Sequence, residues 1–283
     1  MSATWVIARL TVRELVRRRL VLALVLLTAV VIGLTGWGFA RVPGLHDHGQ
    51  PLTAGEARTV AAELLLLVMF MFSFVLALTC AFLAAPAIAQ DLESGVALAL
   101  LARPLRRAEL LLGRWLGLVA SAVVYTVLAS TAELLVVALT TGYVPRQPLQ
   151  AEAALCVEGV CLLTLVLGLS TRLATVTGAV VAVIAFGATW MGGVAGAFGQ
   201  VFNNAPIRDV GTVTHLLLPT DGMWRAATFS LEPAVFASQA AQHAGAGAFQ
   251  SASGPTVAYL AWVAAWLVVV LAAALWSFQR REA

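Results

Sequence analysis

Few residues in this chain have the type and spacing to do chemistry. His46-Asp47-His48 offers an alternating pair of imidazoles, and Met69 and Met71 add soft sulfur atoms further along. Such a pair does not complete a metal site without third and fourth ligands, so a solvated polar loop is expected and no metal is assigned. Glu63, Glu133 and Glu158 lie within or at the ends of long apolar runs. An ionised carboxyl there is costly unless it faces a cavity or a partner. Glu63 reads as an interfacial charge, whereas Glu133 and Glu158 are candidates to line a vestibule or a contact between copies. Thr220, Asp221 and Arg225 form a further set. Thr220 or Asp221 can cap a helix beginning at Gly222, and Asp221 can pair with Arg225 one turn on. No Gly-x-Ser-x-Gly elbow or His-Glu-x-x-His helix is present to support an intramembrane hydrolase.

The densest polar stretch is of another kind. Gln90-Asp91-Leu92-Glu93-Ser94-Gly95 runs on through Arg103-Pro104-Leu105-Arg106-Arg107 to Leu112-Gly113-Arg114, between two apolar runs. Its charges require water, so it is expected at a membrane surface. Asp91 and Glu93 end one helical extension, Ser94-Gly95 loosens it, and Pro104 suits the first turn of the next. An acidic and then basic surface between two spans is suited to receiving a push from a docked protein.

These residues must be positioned by membrane helices. Only 11% of the 283 residues are charged and 61% are hydrophobic, whereas a soluble domain carries roughly a quarter charged residues. The 17 basic residues are all Arg, and they abut apolar runs. The pI near 9.1 therefore reflects membrane flanks, and no nucleic-acid partner is expected. Cys80, Cys156 and Cys161 all fall in apolar segments, which predicts packed thiols and no disulfide framework.

The predicted fold class is all-α: a polytopic membrane protein with about six spans, near 20–40, 60–84, 114–141, 152–171, 174–199 and 256–278. Residues 1–283 are expected to form one membrane domain. Residues 3–19 carry Arg9, Arg13 and Arg17 on one helical face and Trp5, Ala8, Val12 and Leu15 on another, which predicts an amphipathic interfacial helix. This start also resembles a signal peptide, but the long basic region and the spans that follow predict no cleavage. With the N-terminus inside, twelve Arg are cytoplasmic and five (Arg41, Arg58, Arg146, Arg208 and Arg225) lie outside. That asymmetry predicts a multi-pass protein of the cell (inner) membrane with both termini cytoplasmic. Residues 200–255 then form a long outer segment. Its half-apolar stretch from Val213 to Phe229 is too broken to span and is expected to form a re-entrant or interfacial helix pair.

The charged stretch resembles the coupling segment of ABC-2-type exporter permeases, through Glu93, Gly95, Leu100-Leu101, Pro104, Arg107 and Leu112-Gly113-Arg114; Val96 and Arg114 depart from the family's usual Thr and Lys. Leu217-Leu218-Pro219-Thr220-Asp221-Gly222-Met223-Trp224-Arg225 is similar to an element before the last span of permeases related to the nitrous-oxide-reductase maturation transporter. The resemblance implies a permease subunit, paired with a second copy or a paralogue and surrounded by membrane lipid. It also implies that a separate ATP-binding subunit, holding ATP and Mg, docks on residues 86–113, with no cofactor on this chain. The missing phosphate-binding loop agrees with that division. Asp91, Glu93, Gly95, Arg103, Pro104, Arg106 and Arg107 become candidates for ATPase coupling. Glu133, Glu158, Thr220, Asp221 and Arg225 become candidates for a translocation path or gate. A non-ATP-coupled transporter or scaffold, and a maturation permease exporting a sulfur or metal species, remain as alternatives.

Overall fold

The computed structural model describes residues 3–47, 50–93, 106–233, 251 and 253–280. Among these, six helices are long and apolar enough to cross a membrane. They are α2 (Arg19–Phe39), α3 (Ala54–Ala84), α5 (Arg107–Thr141), α6 (Pro148–Ser170), α7 (Thr175–Val201) and α10 (Val257–Gln279). Four shorter α-helices, α1 (Ala3–Arg17), α4 (Pro86–Glu93), α8 (Ala205–Leu217) and α9 (Thr220–Leu231), and one 3-10 turn, Val42–Gly44, accompany them. A two-residue β pairing of His46–Asp47 with Gln50–Pro51 closes the loop after α2. Three of the spans, α3, α5 and α6, start four to seven residues earlier than the apolar runs suggest, because polar first turns extend these helices, and the other three start within one residue of expectation.

Local chemistry sets these ends. Thr53 and Glu56 form a reciprocal capping box at the start of α3, with Glu56 N–H donating to Thr53 Oγ1 at 3.3 Å and Thr53 N–H to Glu56 Oε2 at 2.8 Å. Gly142, at φ 68°, takes the left-handed conformation that ends α5. Pro148 occupies the first turn of α6, where no backbone N–H is needed.

The helix α6 is the centre of the bundle, packing against α3, α5, α7, α9 and α10. Its buried face includes Leu155, Leu162, Leu163 and Leu167. In contrast, α2 exposes Leu22, Val25, Leu26, Val30 and Leu34 along its length, the pattern of a helix clad in lipid rather than protein. Met69 is fully buried while Met71 is half exposed, so the two side chains do not share a surface. All three cysteines are free.

The amphipathic helix forms as expected, with one adjustment. Arg9, Arg13 and Arg17 are exposed and Ala8, Thr11 and Leu15 are buried, but Trp5 stands 60% exposed. The buried edge lies directly on α5, where Gly113 and Gly117 leave no room for a β-carbon against Ile7, Ala8 and Thr11.

Candidate functional site

The segment between α7 and α10 folds into a re-entrant hairpin. A turn through Asn203, itself at positive φ, reverses the chain at the end of α7. Asn204 then caps α8 by accepting the Ile207 N–H at 3.3 Å. The helix α8 returns antiparallel to α7, as its contacts show: Gly199 abuts Arg208, Gly196 abuts Gly211 and Gly192 abuts Thr214. With hydrogens in place of side chains, the two backbones cross in direct contact at Gly196 and Gly211. The hairpin tip reaches Thr189, where the Thr220 and Thr189 hydroxyls are 3.2 Å apart. Thr189 lies twelve residues from the end of α7, so the tip penetrates about 18 Å at the helical rise. The following helix, α9, climbs back to the face it came from. There Tyr143 donates to the Leu231 carbonyl at 2.6 Å and Gln147 N–H to that of Ser230 at 3.0 Å.

Breaking a helix at such depth exposes carbonyls that lipid cannot satisfy. Three side chains of α10 meet them. Trp266 donates to the Leu217 carbonyl at 2.8 Å and Trp262 to that of Leu216 at 3.2 Å. Tyr259 lies within 3.5 Å of the carbonyls of His215 and Pro219. Their i, i+3, i+7 spacing makes one stripe along α10.

At the tip, Asp221 is buried and its Oδ2 accepts from His215 Nε2 and, at 2.9 Å, from Arg225 Nε. The i,i+4 pairing with Arg225 is thus present. The capping role is not: Pro219 occupies the cap position of α9 and makes no side-chain cap bond. Thr220 and Asp221 are already inside the helix, and their side chains turn instead to α7 and α8.

Opposite the tip, Glu158 of α6 is buried and accepts from Ser73 Oγ of α3 at 2.5 Å. Glu158, Ser73, Thr220 and Asp221 line one gap, together with Phe70, Phe186, Trp190 and Trp224. The gap is too narrow for water. Asp221 Oδ1, Glu158 Oε2 and Trp190 Nε1 all face burial without a hydrogen-bond partner. Unsatisfied polar atoms gathered in a dry aromatic surround are costly to bury.

Glu133 is not part of this group. It is buried against α2, within 3.4 Å of Thr35 Oγ1, with its second oxygen unpartnered. Glu63 is exposed, as an interfacial charge would be.

At the N-terminal face, Asp91 and Glu93 lie in the last turn of α4. Gly95, Arg103 and Pro104 fall outside the described residues. Arg106 precedes α5, and its N–H donates to Glu109 Oε2 at 3.1 Å. Arg107 reaches across to the end of α10, donating from Nη1 to the carbonyls of Phe278 and Gln279 at 3.3 and 3.2 Å. A cation at free helix carbonyls is favourable, so Arg107 holds two spans together at this face. Arg172, in the turn after α6, does likewise through Ser277, at 2.7 Å from its Nε.

Sequence reasoning missed Glu14. It accepts from Arg18 and Arg114, the latter at 2.6 Å, and so staples α1 to α5. Burial raises the Glu14 pKa, but the two guanidiniums outweigh it and hold the carboxyl below its usual value. The available signal was the lone acid among the arginines of an amphipathic helix, four residues before Arg18. Also missed were His215, Ser73 and the α10 stripe, all hidden within apolar or unremarkable runs.

Comparison with known proteins agrees with this architecture. The sequence profile of the ABC-2 family transporter proteins matches residues 5–283. No curated protein matches the chain significantly.

Proposed function

The chain belongs to the ABC-2 family of transporter proteins, and from that premise we propose that it is the permease subunit of an ATP-driven exporter, working as a dimer beside a separate ATP-binding subunit. Membership makes it a multi-pass transport subunit and not itself a catalyst. The observation that supports the finer reading is the hairpin, whose Thr220 and Asp221 line a gap with Glu158 while Arg225 pairs with Asp221. A hairpin with unsatisfied polar contacts at its tip is a natural gate between two accessible states. On this reading the arginine asymmetry sets the N-terminal face in the cytoplasm. The ATP-binding subunit, with its ATP and Mg, engages α4, residues 94–105 and the start of α5. Its closure on ATP moves α3 and α5, and α6 passes the motion to the hairpin.

The Pro219-Thr220-Asp221…Arg225 element supports a second reading within the same class, a maturation permease that exports a sulfur or metal species. Neighbouring genes for periplasmic copper factors would favour it; an ATPase gene alone would favour a general exporter.

Charge reversal tests the docking face. Because Arg107 also holds α10, Arg106→Glu alone is the informative variant, with Arg107→Gln as a control for the α10 contact. In native-membrane pull-downs the wild type should recover an ATP-binding protein in equal amount. Arg106→Glu should fold, yet lose permease-stimulated ATP hydrolysis. Normal copurification and normal stimulated hydrolysis in Arg106→Glu would remove that residue from the docking contact, and failure of the wild type to recover any ATP-binding protein would overturn the class.

A further inference from the structure

Beside the hairpin lies a second space, on the face opposite the N-terminus, between α7, α8, α9 and the start of α10. It measures about 270 Å³, and Arg208, His215 and Arg225 line it with Thr212, Ser253 and Tyr259. Arginine is scarce on this face. Of its five, Arg41 is stacked over Trp37, while Arg208 and Arg225 converge on the one cavity. Asp221 is already shared by His215 and Arg225. Arg208 makes no ion pair among the described residues. Asp209 beside it in the chain is exposed and outside the lining. Glu232 stands behind Ser251, accepting its N–H. Arg208, which is exposed, thus brings the cavity a guanidinium that no acid of its lining balances.

We propose that this cavity binds an oxyanion of the phosphate-ester class, held by Arg208 and Arg225. A guanidinium matches such an oxyanion with two parallel N–H bonds, and the hydroxyls of Thr212 and Ser253 add neutral polar contacts. A water needs about 10–15 Å³ by the same measure, so the space holds far more than a bare ion and suits an anion carried on an organic group. The inference deepens the export reading, since a group held here lies beside the hairpin that acts as the gate. It is tested by binding alone.

The experiment uses the purified full chain in phosphatidylcholine nanodiscs, titrated with glycerol 3-phosphate by calorimetry at constant ionic strength. Saturable binding is expected, weakened roughly tenfold or more by Arg208→Gln and less by Arg208→Lys, which keeps charge but not the fork. Arg146→Gln removes a charge from the same face outside the cavity and should bind as the wild type does. A second arm adds phosphatidylglycerol. Competition with the soluble ester, with lipid retained by the wild type and lost from Arg208→Gln in native mass spectrometry, identifies a lipid headgroup as the source. No competition identifies a soluble ester. The proposal is overturned if neither ester nor lipid binds, or if Arg208→Gln binds as well as the wild type. A chain that binds the ester yet stimulates no ATPase keeps the site and loses the export reading; the reverse result loses only the site.

Discussion

Trp266 closes the deepest break in the fold, donating its indole N–H to the Leu217 carbonyl at 2.8 Å. That carbonyl lies at the end of α8, where the helix supplies no further N–H to it. The last span is thus more than a lipid anchor, because it supplies the donors that let the hairpin stop and turn at depth. A mobile gate needs such a partner in both its positions, and a side chain can follow a small shift where a helix backbone cannot.

Replacing Trp266 with Phe keeps the ring and removes the donor. The stranded carbonyl should cost about 1–3 kcal/mol, read as a lowered Tm in detergent. Trp276→Phe, on an exposed ring stacked by Arg280, should change Tm little. Equal Tm values for Trp266→Phe and wild type would show that the hairpin does not depend on this bond.

Gly193 faces the Asp221 carboxylate so closely that a β-carbon would overlap it. Gly193→Ala must therefore push Asp221 away from His215 or Arg225, and truncated pairing of a buried charge is strongly destabilising, by roughly 3–5 kcal/mol if the pair breaks. Gly187, on the same helix, has nothing within 4 Å, and Gly187→Ala should be neutral or stabilising by up to about 1 kcal/mol. Thermal unfolding of the pair of variants checks the contrast. Similar shifts in both would mean the hairpin yields at no cost.

The six spans were legible because an apolar run of about 20 residues has few other fates, and the broken stretch before α10 announced a helix pair through its Pro and Gly. What could not be read was which residues meet. Glu133 and Glu158 look alike in sequence, yet one is packed against Thr35 of α2 and the other against Ser73 and the hairpin tip. Their difference depends on helix rotation, which an all-round apolar pattern does not encode. The stripe of Tyr259, Trp262 and Trp266 was invisible for the same reason: in a span, aromatic donors read as hydrophobic bulk. The expected cap at Thr220 failed because Pro219, fixed near φ −78°, takes the position and leaves the polar side chains free for tertiary contacts.

Glu14 joins α1 to α5 through Arg114 and to its own helix through Arg18. Its folded pKa lies below its usual 4.5, so its stabilisation is present above that value and is lost as pH falls through the lower, folded one. The carboxylate is substantially exposed, so Glu14→Gln should cost about 1 kcal/mol or less and the loss should shrink at high salt. Limited trypsin cleavage after Arg9, Arg13 and Arg17 would report whether α1 still lies on α5; undiminished protection in Glu14→Gln would assign the seat to Ala8, Thr11 and Leu15 alone.

The opposite sign applies to Glu232, beyond the end of α9. Burial raises its pKa to about 7, against the Ser251 N–H that lowers it. The folded protein therefore holds this proton more tightly than the unfolded chain. The resulting stabilisation is complete below 4.5, the ordinary value, and is lost as pH rises through about 7. Tyr143 is pushed to about 12, first by burial and then by the Glu232 charge, so its own transition lies above the working range. Wild-type Tm should accordingly fall between about pH 5 and 8, and Glu232→Gln, which cannot ionise, should flatten that part of the profile. A Glu232→Gln profile parallel to the wild type would place the pH dependence elsewhere in the bundle.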